Sequence, residues 1–113
     1  MEERRKCHRF KVRVPVEIHA DDFSAPMRYT TTDLSLEGCY IESLYPLPRG
    51  SHVDLRLEAG DTLLISGTVI TSDPQFGNGI HFDEMLPEDF AQLSKYLDDV
   101  SAQESNEKEA GSS

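Results

Sequence analysis

Residues 53–58, Val53-Asp54-Leu55-Arg56-Leu57-Glu58, alternate apolar and charged side chains without a break, and Gly60-Asp61 follows as a turn. Period two puts Val53, Leu55 and Leu57 on one face of an extended chain and the three charges on the other, the pattern of a half-buried β-strand. The same period recurs upstream, where Val12, Val14, Val16 and Ile18 alternate with Arg13, Pro15, Glu17 and His19. Pro15 predicts an edge or a bulge in the first part of that strand. Downstream, Thr62 to Thr71 is long and rich in β-formers, with Gly67 expected at a bulge or bend.

Three more strands fill the gaps. Ala20 to Pro26 is a turn region, and Met27 to Asp33, with Tyr29-Thr30-Thr31-Thr32, reads as a strand. Gly38 interrupts the pattern before Cys39 to Ser43, which puts Cys39 and Ile41 on one side. Pro46, Pro48 and Gly50 form a loop, Asp73-Pro74-Gln75 a turn, and Phe76-Gly77-Asn78-Gly79-Ile80-His81-Phe82 a glycine-rich last strand. Six short strands with no helix between them predict an antiparallel barrel or sandwich.

After Phe82 the period changes. Pro87 suits a first helical turn, Glu88 and Asp89 suit the positive end of a helix, and Phe90, Leu93, Leu97 and Val100 share one face. One amphipathic helix of about three turns should close the domain. Ser101 to Ser113 holds no large apolar residue and is expected to be a disordered acidic tail. The predicted organisation is a basic, flexible arm over residues 1–11, a barrel with its helix over 12–100, and the tail over 101–113.

The chain has 113 residues, with 21 Asp and Glu against 11 Lys and Arg, a net charge of −10. One domain with one core is the expectation, large enough to fold without metal or disulfide. The net charge argues against a phosphate ligand only until it is mapped. Residues 1–13 carry Arg4, Arg5, Lys6, Arg9, Lys11 and Arg13 against Glu2 and Glu3, a local balance of +4, while the remainder sums to −14. With a Debye length of about 8 Å at physiological salt, distant acids hardly oppose an anion at the arm.

Other classes are disfavoured. There is no apolar run of signal-peptide length and no stretch of 18 apolar residues, so a cytoplasmic protein without membrane insertion is expected. Cys7 and Cys39 lack metal-ligand spacing and read as free thiols. His8, His19, His52 and His81 fall in separate elements, and no serine lies in a nucleophile elbow, so no catalytic role, metal or cofactor is assigned. His81 is expected on the sheet surface or rim.

Two short patterns stand out: Arg5-Lys6-Cys7-His8-Arg9 before the first strand, and Asp33-Leu34-Ser35-Leu36-Glu37-Gly38 at a strand junction. Each alone is weak. A basic segment is often a solvated arm, and Asp and Ser before glycine often only satisfy turn donors, with Gly38 at a positive φ. Together, in this order around the first strands, they resemble the PilZ domain family. The resemblance extends to Gly77 through Phe82 and to the closing helix, covering residues 3 to about 98.

That resemblance implies a six-stranded antiparallel β-barrel with a C-terminal helix that binds cyclic di-GMP, the RxxxR segment folding over the ligand. Arg5 and Arg9 are then the expected contacts to phosphate and to the guanine O6/N7 edge. Arg4 would stack on a purine or meet a second phosphate, and an arginine there accompanies a stacked ligand dimer in the family. Asp33 can accept from guanine N1–H and N2–H, Ser35 would add a hydrogen bond, Gly38 would allow close backbone approach, and Gly79 would offer a flat place for a base. The implied role is a stand-alone receptor or adaptor in motility or biofilm control. Its arm, residues 2–11, would become ordered on binding and alter contact with an effector protein. The alternative is a PilZ-fold interaction scaffold that acts without nucleotide. DNA or RNA binding is disfavoured because the strands are acidic and lack stacking aromatics.

Overall fold

The computed structural model describes residues 8–21 and 25–112. Its elements are β1 (Pro15–Ala20), β2 (Met27–Leu34), β3 (Gly38–Glu42), β4 (His52–Ala59), β5 (Asp61–Asp73), β6 (Gly77–Met85) and α1 (Pro87–Ser112). The strands close into one antiparallel barrel in the order β1-β2-β3-β6-β5-β4, which decides between the barrel and the sandwich that the strand pattern left open.

Alternation places the core as expected. Val53, Leu55 and Leu57 are fully buried between Val16 and Ile18 on β1 and Leu63 and Ile65 on β5. Cys39 and Ile41 are buried in the same core. The register between β5 and β6 slips at Ser66/Gly67, where the glycine was expected to mark an irregularity. A closed barrel has no edge for Pro15 to occupy. It stands instead as the first residue of β1, where its missing N–H breaks no ladder.

The strand read from Val12 begins only at Pro15 because Thr31 intervenes. Its buried hydroxyl accepts from the Val14 N–H at 2.9 Å and donates to the Val12 carbonyl at 2.7 Å. A side chain thereby satisfies the backbone that a neighbouring strand would otherwise pair. Before it, Phe10 forms an isolated bridge with Leu34, each N–H donating to the other's carbonyl at 2.9 Å. The expected arm, drawn through residue 11, therefore meets the barrel already at Phe10.

The helix begins at Pro87 as expected, and Leu93 and Leu97 are buried against the end of the barrel formed by β4 and β5. Gln92 donates to the Ala59 carbonyl at 3.1 Å. The helix continues past Val100 to Ser112, over residues expected to be a disordered tail. A lack of apolar side chains means a segment has no face to bury. It does not oppose helical backbone, and the Ala, Gln, Glu and Lys of this stretch are good helix formers.

Candidate functional site

Period two alone would hide Asp33. Thr31 points into the core, and two residues further on Asp33 should do the same. Between Thr31↔Ile41 and Asp33↔Tyr40, however, β2 spends two residues against one on β3. The extra residue, Thr32, reverses the alternation, so Leu34 turns inward to full burial and Asp33 turns out. Its carboxylate lies 4.0 Å from Nη1 of Arg9, on the strap that Phe10 ties to Leu34.

The turn that follows is built by Ser35. Its Oγ accepts from the N–H groups of Glu37 (3.1 Å) and Gly38 (3.2 Å) and donates to the Gly38 carbonyl at 3.3 Å, while the Ser35 N–H donates to that carbonyl at 2.9 Å. The residue is only 4% exposed. A hydroxyl offers one donor and two acceptor sites, and all three are used within the turn. Gly38 pairs with His81, and a Cβ at Gly38 would collide with the Ile80 carbonyl. Close approach of β6 requires this glycine, whereas a positive φ does not occur there.

These pieces frame a cleft of about 190 Å³ lined by Arg9, Ser35, Glu37, Gly38, Ile70, Ile80 and His81. Sequence reading brought Arg9, Asp33, Ser35 and Gly38 to one place, and the structure brings the same four together. Arg4 and Arg5 lie outside the described residues. Gly79 does not line the cleft: it is buried, pairs with Tyr40 and Thr71, and donates its N–H to the Thr71 hydroxyl at 2.8 Å. Thr71 Oγ1 stands only 2.6 Å from where a Gly79 Cβ would be, so no open platform is present over this glycine.

The third wall was not legible in the short patterns. His81 lies outward on β6, as the sheet-surface reading has it, with Nε2 3.9 Å from Asp83. Ile70 is exposed because it follows the buried Val69 in the unbroken alternation of β5; the register slip between Val69 and Thr71 comes after it and turns Thr71 outward as well. Alternation was the available signal for both, since His81 stands between the buried Ile80 and Phe82, and Ile70 follows the buried Val69.

Electrostatics separates the cleft from what lies beneath it. Burial pushes the Cys39 thiol up to about 12, against the smaller opposing pull of the Arg9 charge, so Cys39 is a neutral core group and not a nucleophile. On the neighbouring outer face the Tyr40 hydroxyl donates to Asp73 at 2.7 Å. Desolvation, with that hydrogen bond and the Asp73 charge, raises the phenol to about 12. Within the described residues the cleft thus offers the Arg9 guanidinium, the Glu37 carboxylate, two isoleucine side chains and the His81 imidazole, with Asp33 outside its lining but beside Arg9, a set suited to a planar base with polar edges. No helix among the described residues is long and apolar enough to cross a membrane.

Solved structures share this fold at low sequence identity. The PilZ domain of CeSA from a cellulose-synthesising bacterium is 20% identical, with a TM-score of 0.66 over 83% of this chain and 98% of that one. The PilZ domain of Escherichia coli YcgR, solved with cyclic di-GMP, is 17% identical, with a TM-score of 0.69 over 96% and 98%. The Bacillus subtilis inhibitor of motility MotI/DgrA is 15% identical, with a TM-score of 0.75 over 89% of this chain and 52% of that longer one. No curated protein matches the chain by sequence. The PilZ domain model matches residues 3–99, the whole barrel and the first half of α1, and the chain belongs to the PilZ domain family.

Proposed function

We propose that this protein is a receptor that binds cyclic di-GMP in the cleft between Arg9, Asp33 and the Ser35–Gly38 turn, and that binding orders the segment before Phe10. The observation that carries the reading is the 4.0 Å approach of Arg9 to a carboxylate turned outward by a bulge. That pair matches the two sides of guanine, with Arg9 for the O6/N7 acceptor edge or a phosphate and Asp33 for the N1–H and N2–H donors. Family membership and the YcgR domain with its bound nucleotide support the choice of ligand.

Charge assigns the rest of the ligand's needs. Arg9 shares its surroundings with Asp33 and Glu37, and one guanidinium does not balance two phosphates. Arg4 and Arg5 are the cations that the chain has in reserve one short segment upstream. Drawing them onto the phosphates creates a surface that exists only in the bound state, which an effector protein then reads. Ser35 and Gly38 act through the turn and the close strand contact they make, and Gly79 through a base only if Thr71 yields.

Titration calorimetry with cyclic di-GMP tests the reading and counts the nucleotides bound. Charge-assisted contacts are worth about 1.5–3 kcal/mol, so Arg5→Ala or Arg9→Ala should weaken binding by roughly tenfold to over a hundredfold. Unchanged affinity in both variants, or no heat from the unaltered chain, overturns it; the latter would leave the ligand-independent scaffold.

A further inference from the structure

The Asp33–Gly38 turn has a second side. While Ser35 and Glu37 face the Arg9 cleft, Leu36 between them lines a separate cleft of about 470 Å³ with Phe82, Met85, Pro87 and Phe90. Met85 and Phe90 stand where a hydrophobic staple at a helix start would place them. The staple does not cover this surface: Phe90 remains 47% exposed and the adjoining Leu86 54%. Two large side chains beside a concave apolar floor mark an interaction surface more than they mark a helix cap.

The rim is acidic. Asp83 and Glu84 line the cleft, and Glu88 and Asp89 stand on the first turn of α1 beside it. Asp83 accepts from Thr68 at 2.6 Å and Asp89 from the Leu64 N–H at 3.4 Å. Glu84 and Glu88 pair with no cation among the described residues. A second copy docking through the same face would set this rim against itself, so charge argues against an isologous dimer.

We infer that the Leu36–Phe82–Phe90 cleft docks an amphipathic helix of a partner protein, its apolar stripe seated on Phe90 and Leu86 and its flanking Lys or Arg residues meeting Glu84 and Glu88. The stripe follows from helix-in-groove recognition, in which anchors at i, i+3, i+4 and i+7 enter a hydrophobic groove. The basic flanks follow from the rim. An occupant there presses on the same turn that frames the Arg9 cleft, through Leu36 and through the Phe82 N–H, which donates to the Glu37 carbonyl at 2.8 Å. The inference goes beyond the receptor reading and stands without it.

The test is an amide-resonance titration of the full chain, free of nucleotide, with a designed helix of about 18 residues that carries Leu and Phe at those spacings and Lys and Arg elsewhere. Two control peptides accompany it, one with Glu in place of the basic residues and one with the same composition but no apolar stripe. Shifts should cluster at Leu36 and residues 82–90, and Phe90→Ser should weaken binding by at least about tenfold. Phe90 is half exposed, so the variant should keep its fold. Leu86→Ser, outside the helix, gives a second reading, and the amide spectra verify both. Shifts spread over the acidic barrel or centred on Leu44, Tyr45 and Phe76 overturn the inference. So does equal binding of either control peptide, unchanged affinity in both variants, or concentration-dependent shifts of residues 82–90 without peptide, which would indicate a second copy.

Discussion

Phe10 and Leu34 exchange both of their backbone hydrogen bonds, each 2.9 Å long, directly above the turn that carries Ser35. Leu34 is fully buried and Asp33 beside it faces Arg9. The bridge therefore fixes where the basic segment enters the barrel. It also divides the segment mechanically, since Phe10 is held by the sheet whatever happens upstream, while among the described residues the Arg9 side chain has one ion pair, the 4.0 Å approach to Asp33.

Hydrogen exchange should register that division. The Phe10 and Leu34 amides are expected to be protected with and without cyclic di-GMP, and residues 4–9 to gain protection only with it. Equal protection of residues 4–9 in both conditions would remove the ordering step from the mechanism.

Ser35 and Arg9 should separate stability from binding. Ser35→Ala leaves the N–H groups of Glu37 and Gly38 without their acceptor in a nearly closed turn, at a cost of about 1–3 kcal/mol in urea unfolding. Arg9→Ala removes an exposed pair at 4.0 Å, worth about 0–1 kcal/mol, and should leave the unfolding midpoint almost where it was. A urea midpoint unmoved by Ser35→Ala would show that the hydroxyl does not build the turn.

Alkaline pH should loosen the fold from about pH 9 upward. Cys39, ordinarily near 9.0, and Tyr40, ordinarily near 10.0, are both raised to about 12. Between the ordinary and raised values the native state holds protons that the unfolded state has released, so stability falls as pH rises. Their contribution is complete below about pH 9 and lost by about pH 12. Cys39→Ala removes the thiol part of that slope. Absorbance titration of the tyrosinates should show Tyr40 ionising at lower pH in Asp73→Asn, which deletes both the charge and the anionic acceptor. An unchanged Tyr40 titration would mean that desolvation alone raises it.

The strands were legible because alternation is a direct image of a two-sided wall, and Val53 through Glu58 show it without noise. What escaped are the places where the wall departs from period two. Thr32 is an ordinary strand former, so nothing in its identity announces an extra residue, yet it turns Asp33 toward Arg9; the slip after Val69 is equally silent and leaves both Ile70 and Thr71 facing outward. Gly38 was recognisable as a point of close backbone approach, but what approaches it was not, since the obstacle to a side chain is the Ile80 carbonyl on a strand some forty residues away. The chemistry of the site was readable in two short patterns. Its third wall was not, because it is assembled by the barrel's closure.

Thr31 tests how the barrel's entry is held. It occupies a fully buried position, and its hydroxyl serves both the Val14 N–H and the Val12 carbonyl. Thr31→Val preserves shape and β-branching but offers neither donor nor acceptor, leaving two backbone groups unpaired beside the core. The expected loss is about 1–3 kcal/mol in urea unfolding, larger than a surface substitution and with little change in denaturant slope. Because the unpaired groups lie between Phe10 and β1, exchange at Phe10 and Val14 should accelerate while β4 and β5 stay protected. Uniform acceleration across the barrel would show instead that the entry segment unfolds only with the whole domain.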